Sequence, residues 1–221
     1  MKLLFQAIIK FILGIIMIGV ILFLPAGTLK FWNAWLCIAL LFIPMFFVMI
    51  VLWCKDKELL KKRLNGKEKE KSQKLVVSVT LVIFIISFVT AGFDFKYNFS
   101  RLPNFVVAFG AIILTFSYAL YVEVMRENAY LSRTIEIQEN QKVIDTGMYA
   151  VVRHPMYMAT TLLYLSFPLV LGSFTSFIIF LPFPFVLVKR IKNEEEVLEK
   201  GLAGYKEYKE KVKYKMIPFI W

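Results

Sequence analysis

Long, almost uncharged apolar runs separated by short basic segments constrain this chain most. Four of them cover residues 7–24, 31–53, 75–93 and 104–122. About 20 apolar residues in a helix cross about 30 Å of hydrocarbon, so each run reads as one membrane span. A fifth run, residues 156–188, has about 33 residues. As a single helix it would measure near 50 Å, too long for one crossing. Gly172–Ser173 lies at its midpoint, so it reads as a helical hairpin whose arms are bent by Pro168, Pro182 and Pro184. The expected fold is all-α: a polytopic membrane helical bundle of five to six spans, the last two forming the hairpin. Residues 1–122 form a four-span region, and residues 123–221 carry the candidate site and a polar tail.

Composition supports this reading. The chain is 59% hydrophobic, with a mean hydropathy of +0.66, more apolar than a soluble domain of 221 residues. Its net charge of +11 comes from Lys and Arg in short segments between the apolar runs. That placement fits cytoplasmic segments against membrane lipids, and no nucleic-acid-binding motif is present. Residues 55–74 alone carry nine Lys or Arg against four acidic residues. By the positive-inside rule this loop, residues 123–155 and both termini face the cytoplasm, with a bacterial-type plasma membrane as the expected location. Two cysteines and one histidine make no zinc set, so no metal is expected.

Two polar stretches flank the fifth run. VIDTGMYAVVRHPMY, residues 143–157, contains the only histidine, His154; KRIKNEEEVL follows at residues 189–198. The hairpin between them folds one against the other at the membrane face. Pro155 disfavours helix at His154 and suits the first turn of the next helix. Singly, each residue has a plainer use. His154 bonds to backbone, Arg153 meets lipid phosphate, Glu194–Glu196 form the acidic first turn of a helix, and the tyrosines anchor at the interface. In the tail, Val197, Leu198, Leu202, Tyr205, Tyr208 and Val212 recur every three or four residues, an amphipathic pattern broken by Gly201 and Gly204.

Taken together, GMYAVVRHPMY, RIKNEEEVL and LAGYKEYKEKVKYKMIPFIW resemble the membrane methyltransferases related to isoprenylcysteine carboxyl methyltransferase. Phospholipid N-methyltransferases carry a similar signature. The resemblance is sharp from about residue 138 to residue 221, and FLPAGTLKFWNAW and RENAYLS upstream are also similar to bacterial members. It implies an enzyme that transfers a methyl group from S-adenosylmethionine to a lipophilic acceptor drawn from the bilayer, at a cytoplasmic site built from helix ends. The chain has no Gly-rich GxGxxG turn of the kind that opens a Rossmann-like domain. Carried over by resemblance are Arg153, His154 and Tyr157 from Arg-His-Pro-x-Tyr, and Glu194 and Glu195 from the Arg-x-x-x-Glu-Glu element beginning at Arg190. Tyr149, Tyr205 and Tyr208 follow. Arg153 and Glu195 are the expected catalytic residues; Tyr149, His154, Tyr157, Glu194, Tyr205 and Tyr208 are the expected cofactor-binding residues. Met148 and Ala203 depart from the family pattern, where many members have proline.

The chemistry leaves two acceptors open. A carboxylate is ionised at neutral pH and needs no base, only a cation such as Arg153 to hold it by paired hydrogen bonds. An amine must first lose a proton, with Glu195 or His154 as base. Carboxyl O-methylation of an isoprenylcysteine-like or other lipidic carboxylate is the family-level expectation, and N-methylation of a phospholipid amine is the alternative. A non-catalytic transporter or scaffold is the reading from another class; the scarcity of ionisable residues inside the spans speaks against it.

Overall fold

The computed structural model describes residues 2–64, 71–131, 135 and 137–221. The middle of the basic 55–74 segment and Ser132 of the RENAYLS stretch lie outside the described residues. The helices are α1 (Lys2–Ala26), α2 (Trp32–Lys55), α3 (Lys57–Leu64), α4 (Lys71–Tyr97), α5 (Asn104–Glu127), α6 (Pro155–Leu171), α7 (Phe174–Phe180), α8 (Phe183–Gly201) and α9 (Tyr205–Lys211). Five stretches are long and apolar enough to cross a membrane: α1, α2, Lys74–Tyr97 of α4, α5, and Phe174–Gly201, which joins α7 and α8. α6 is apolar but shorter. The chain is a polytopic helical bundle of an integral membrane protein.

Apolar side chains lie on both sides of these helices, as a bilayer allows and water does not. Phe31, Phe88, Phe167, Phe180 and Phe183 are fully buried in a core joining α1, α2 and α4 to α6, α7 and α8. Phe105, Phe109, Ile112 and Phe116 of α5 point outward and are exposed.

The hairpin turns at Gly172, whose φ of 71° is left-handed and free of strain only for glycine. Ser173 then caps α7, its side chain accepting from Ser176 N. Only one of the expected bends interrupts an arm: the chain breaks between Phe180 and Phe183, at Leu181–Pro182. The helices run on through Pro44 and Pro168. The turn is held at one end of the bundle, where Leu102 N donates to Gly172 O (2.9 Å) and Asn33 Nδ2 to Val170 O (3.1 Å).

The other end gathers α3, the start of α1, the exit of α5 and the tail. Leu60 of α3 packs with Ala7 of α1 and Met49 of α2. Lys10 Nζ donates to Leu64 O at 2.6 Å, satisfying a carbonyl at the end of α3. Glu194–Glu196 lie towards the C-terminal end of α8 and not in a first turn, so the helix dipole does not favour them and cations must.

Candidate active site

The polar stretch before α6 is set by a carboxylate on α5. Gly147 begins a 3-10 turn, Gly147–Ala150, with φ 55°. Both oxygens of Glu127 accept from Met148 N, at 3.1 and 3.0 Å. A Cβ at position 147 would fall 1.7 Å from Glu127 Oε1, so this carboxylate and any side chain there exclude each other. The turn presents Tyr149, which is buried. Asn128 Nδ2 donates to its hydroxyl (2.9 Å), and Tyr208 OH donates to its carbonyl (2.7 Å). The exit of α5, the 3-10 turn and α9 are thereby tied together. Glu127 and Asn128 lie in the RENAYLS stretch similar to bacterial members, but the sequence assigns no role to either.

Arg153 and His154 follow, and both are buried. Arg153 Nε donates to Glu195 Oε1 at 2.7 Å, and its Nη1 donates to Val212 O (2.6 Å) and Lys213 O (2.9 Å). The backbone continues the contact: Arg153 N to Tyr214 O (2.9 Å) and His154 N to Lys215 O (2.7 Å). His154 Nε2 lies 3.3 Å from the same Glu195 oxygen. Lys215 Nζ and Lys209 Nζ approach the other oxygen at 3.7 and 3.9 Å. A buried carboxylate with this many partners is the arrangement in which burying charge is tolerable. It also strings residues 212–215 across the start of α6. Arg153 therefore spends Nε and Nη1 on the protein itself.

A cavity of about 600 Å³ opens beside this clamp, within the usual range for small-molecule sites. At its polar end lie Tyr149, Arg153, His154, Tyr157, Arg190, Glu194, Tyr205 and Tyr208. Deeper in the bundle the wall turns apolar, with Ile18 of α1, Leu81 and Phe84 of α4, Leu163 of α6, and Phe183 and Leu187 of α8. Glu194 accepts from Tyr157 OH, which in turn accepts from Arg190 Nε at 2.9 Å. Of the eight residues expected to form the site, Glu195 is the one not lining the cavity; it faces the tail, while its neighbour Glu194 faces the cavity.

Tyr205 OH is buried, in a cavity-lining residue, and is the one buried side-chain polar atom without a hydrogen-bond partner among the described residues. Burial pushes the phenols of Tyr149, Tyr205 and Tyr208 above their ordinary range, so at neutral pH each keeps its proton as a donor. Arg63 of α3 also lines the cavity, its guanidinium 5.1 Å over the Tyr121 ring. From sequence it was one of many cations in a basic loop, and nothing in the local pattern sets it apart.

Residues 105–204, from the start of α5 to Gly204, match the family model described as phospholipid methyltransferase. No curated protein matches the chain.

Proposed function

We propose that this chain is a membrane methyltransferase acting on lipids, as the match of residues 105–204 to the phospholipid methyltransferase model supports, that its methyl donor is S-adenosylmethionine, and that its preferred acceptor is an oxyanion, most simply a carboxylate, on a lipid. The observation carrying this reading is the continuity of one cavity from the polar end into the apolar interior. A lipid and a polar donor can meet there without either leaving its own solvent. Val77 and Leu81 of α4, two exposed apolar residues, line the cavity, which fits an opening towards lipid.

The residues present fit the donor. When bound, S-adenosylmethionine supplies an electrophilic methyl group on a sulfonium, together with an amino-acid head and a nucleoside to be gripped. Glu194 offers a carboxylate to an ammonium, and Tyr157 and Arg190 fix where that carboxylate points. The unpartnered Tyr205 hydroxyl offers a donor to an oxygen or ring nitrogen. The Tyr149 and Tyr208 rings give the apolar faces that a nucleobase needs. Arg153 and Glu195 act by positioning: their pair, with the Arg153 bonds to Val212 O and Lys213 O, holds the tail against the start of α6.

The acceptor follows from the charges on the wall. Arg63, Lys142 and Arg190 line the cavity with Glu194 as the one carboxylate among the described lining residues; Arg153 lines it too, but Glu195 offsets its charge. That balance favours an anionic acceptor, which is ionised at neutral pH and needs placement more than a base. The family description favours a second reading, N-methylation of a phospholipid amine, in which Glu194 or His154 would take the amine proton.

The test is transfer of labelled methyl from S-adenosylmethionine into the lipid phase by the purified chain in mixed membranes. Label released as methanol by mild base marks an ester and supports the carboxylate reading. Base-stable label marks the amine reading. No label in any lipid fraction refutes both.

A further inference from the structure

Among the described residues, the cavity ends at one level on three helices. Counting from its polar end, the deepest lining residue is Phe84 on α4, Tyr164 on α6 and Phe183 on α8. These rings meet one another. The Phe84 and Tyr164 centroids lie 5.7 Å apart, edge to face, and those of Tyr164 and Phe183 lie 4.9 Å apart. A second layer of rings closes the space beneath them. Phe88, Phe167 and Phe180 are fully buried, and Phe84 packs on them at 4.2, 5.6 and 5.6 Å. Phe84 stands at the midpoint of α4, so this floor lies about halfway through the bundle. The apolar wall above it is short. Tyr157 lies seven positions before Tyr164 on α6, and Arg190 lies seven positions after Phe183 on α8. On both helices the polar end therefore begins about 10 Å from the rings.

We propose that Phe84, Tyr164 and Phe183 are the floor of a chain-length-selecting compartment: the apolar chain of the bound lipid ends against these rings, and Phe84 sets the longest chain that fits. The compartment takes one chain reaching about 10 Å below the polar end. Two interlocked layers of rings yield little to a chain that is too long, because a packed interior cannot take up added volume without strain. Phe84 is the residue to vary, since it is half-buried, lines the cavity and joins both layers. That the bound lipid is the methyl acceptor rests on the function proposed above; the length limit itself does not.

Native mass spectrometry of the detergent-purified full chain, with straight-chain fatty acids from octanoate to palmitate, reads the limit directly. The acids are compared at equal mole fraction in the micelle. Micelle and compartment are both apolar, so the general gain per methylene cancels and fit decides. The wild type prefers one length and binds palmitate about tenfold more weakly than that acid, the usual cost of overfilling a packed site. Phe84→Ala moves the preferred length to a longer acid, and Phe84→Trp moves it to a shorter one. Phe84→Leu takes the place of Phe84→Ala if the latter does not fold. Shifts in opposite directions separate a floor from general damage, which weakens every acid alike. One preferred length in all the variants, uniform weakening, or no binding at any length overturns the proposal. So does equal binding of all lengths, which means that the chain leaves sideways past Val77 and Leu81. Calorimetry with S-adenosylhomocysteine on the wild type separates the two proposals. Phe84-dependent length selection in a chain that binds no donor refutes the methyltransferase reading and leaves the compartment standing.

Discussion

Arg153 Nε and Glu195 Oε1 lie 2.7 Å apart although 42 positions separate the two residues in the chain. One sits just before α6 and the other near the end of α8, so this single bond closes the base of the hairpin. Removing one partner strands the other charge in a buried place. Glu195→Gln is expected to destabilise the protein by about 3 kcal/mol and to abolish activity. Replacing both residues by leucine recovers part of the stability but no activity. Thermal unfolding in detergent, measured beside methyl transfer, checks this. A Glu195→Gln protein as stable as the wild type would mean that the clamp holds nothing.

Tyr205 has a buried hydroxyl with no hydrogen-bond partner among the described residues. Tyr205→Phe removes a group that stabilises nothing in the folded chain, so stability should change by no more than about 0.5 kcal/mol. Affinity for S-adenosylhomocysteine should fall about five- to tenfold, the usual worth of one hydrogen bond to a ligand. An unchanged dissociation constant would remove Tyr205 from the donor site.

Neighbouring glutamates on α8 separate site from surface. Glu194 lines the cavity and Glu196 is exposed. Glu194→Gln should weaken donor binding about tenfold or more, through loss of an ionic partner, while Glu196→Gln stays within about twofold. Equal effects from the two variants would mean that α8 is rotated from the orientation described.

The same helix shows how far the sequence alone could reach. The hairpin was legible because Gly172–Ser173 divides a run too long for one crossing, and because Pro155 marks where α6 begins. The meeting of Arg153, His154 and Glu195 follows from that hairpin. Which glutamate faces the cavity does not follow. Adjacent residues on a helix point about 100° apart, and the facing side is fixed only when the packing of α8 against α4 and α6 is known. Glu127 and Arg63 were hidden for a related reason. Glu127 is an ordinary charged residue at the edge of an apolar run, and Arg63 one cation of a basic loop, until α5 brings one to Gly147 and α3 brings the other over Tyr121.

Gly147 is where the backbone and the Glu127 carboxylate share one space. Gly147→Ala adds a methyl group at a left-handed φ and drives Glu127 from Met148 N, at a cost of about 1–3 kcal/mol. Adding Glu127→Ala to that variant relieves the collision but not the backbone strain, so stability returns only in part. A Gly147→Ala protein with wild-type melting would contradict the account of this turn.

Calorimetric titration of S-adenosylhomocysteine into the detergent-purified chain tests the central claim most directly. The account predicts saturable one-to-one binding that is lost or strongly weakened in Glu194→Gln. Absence of binding to a wild-type protein shown to be folded would contradict it.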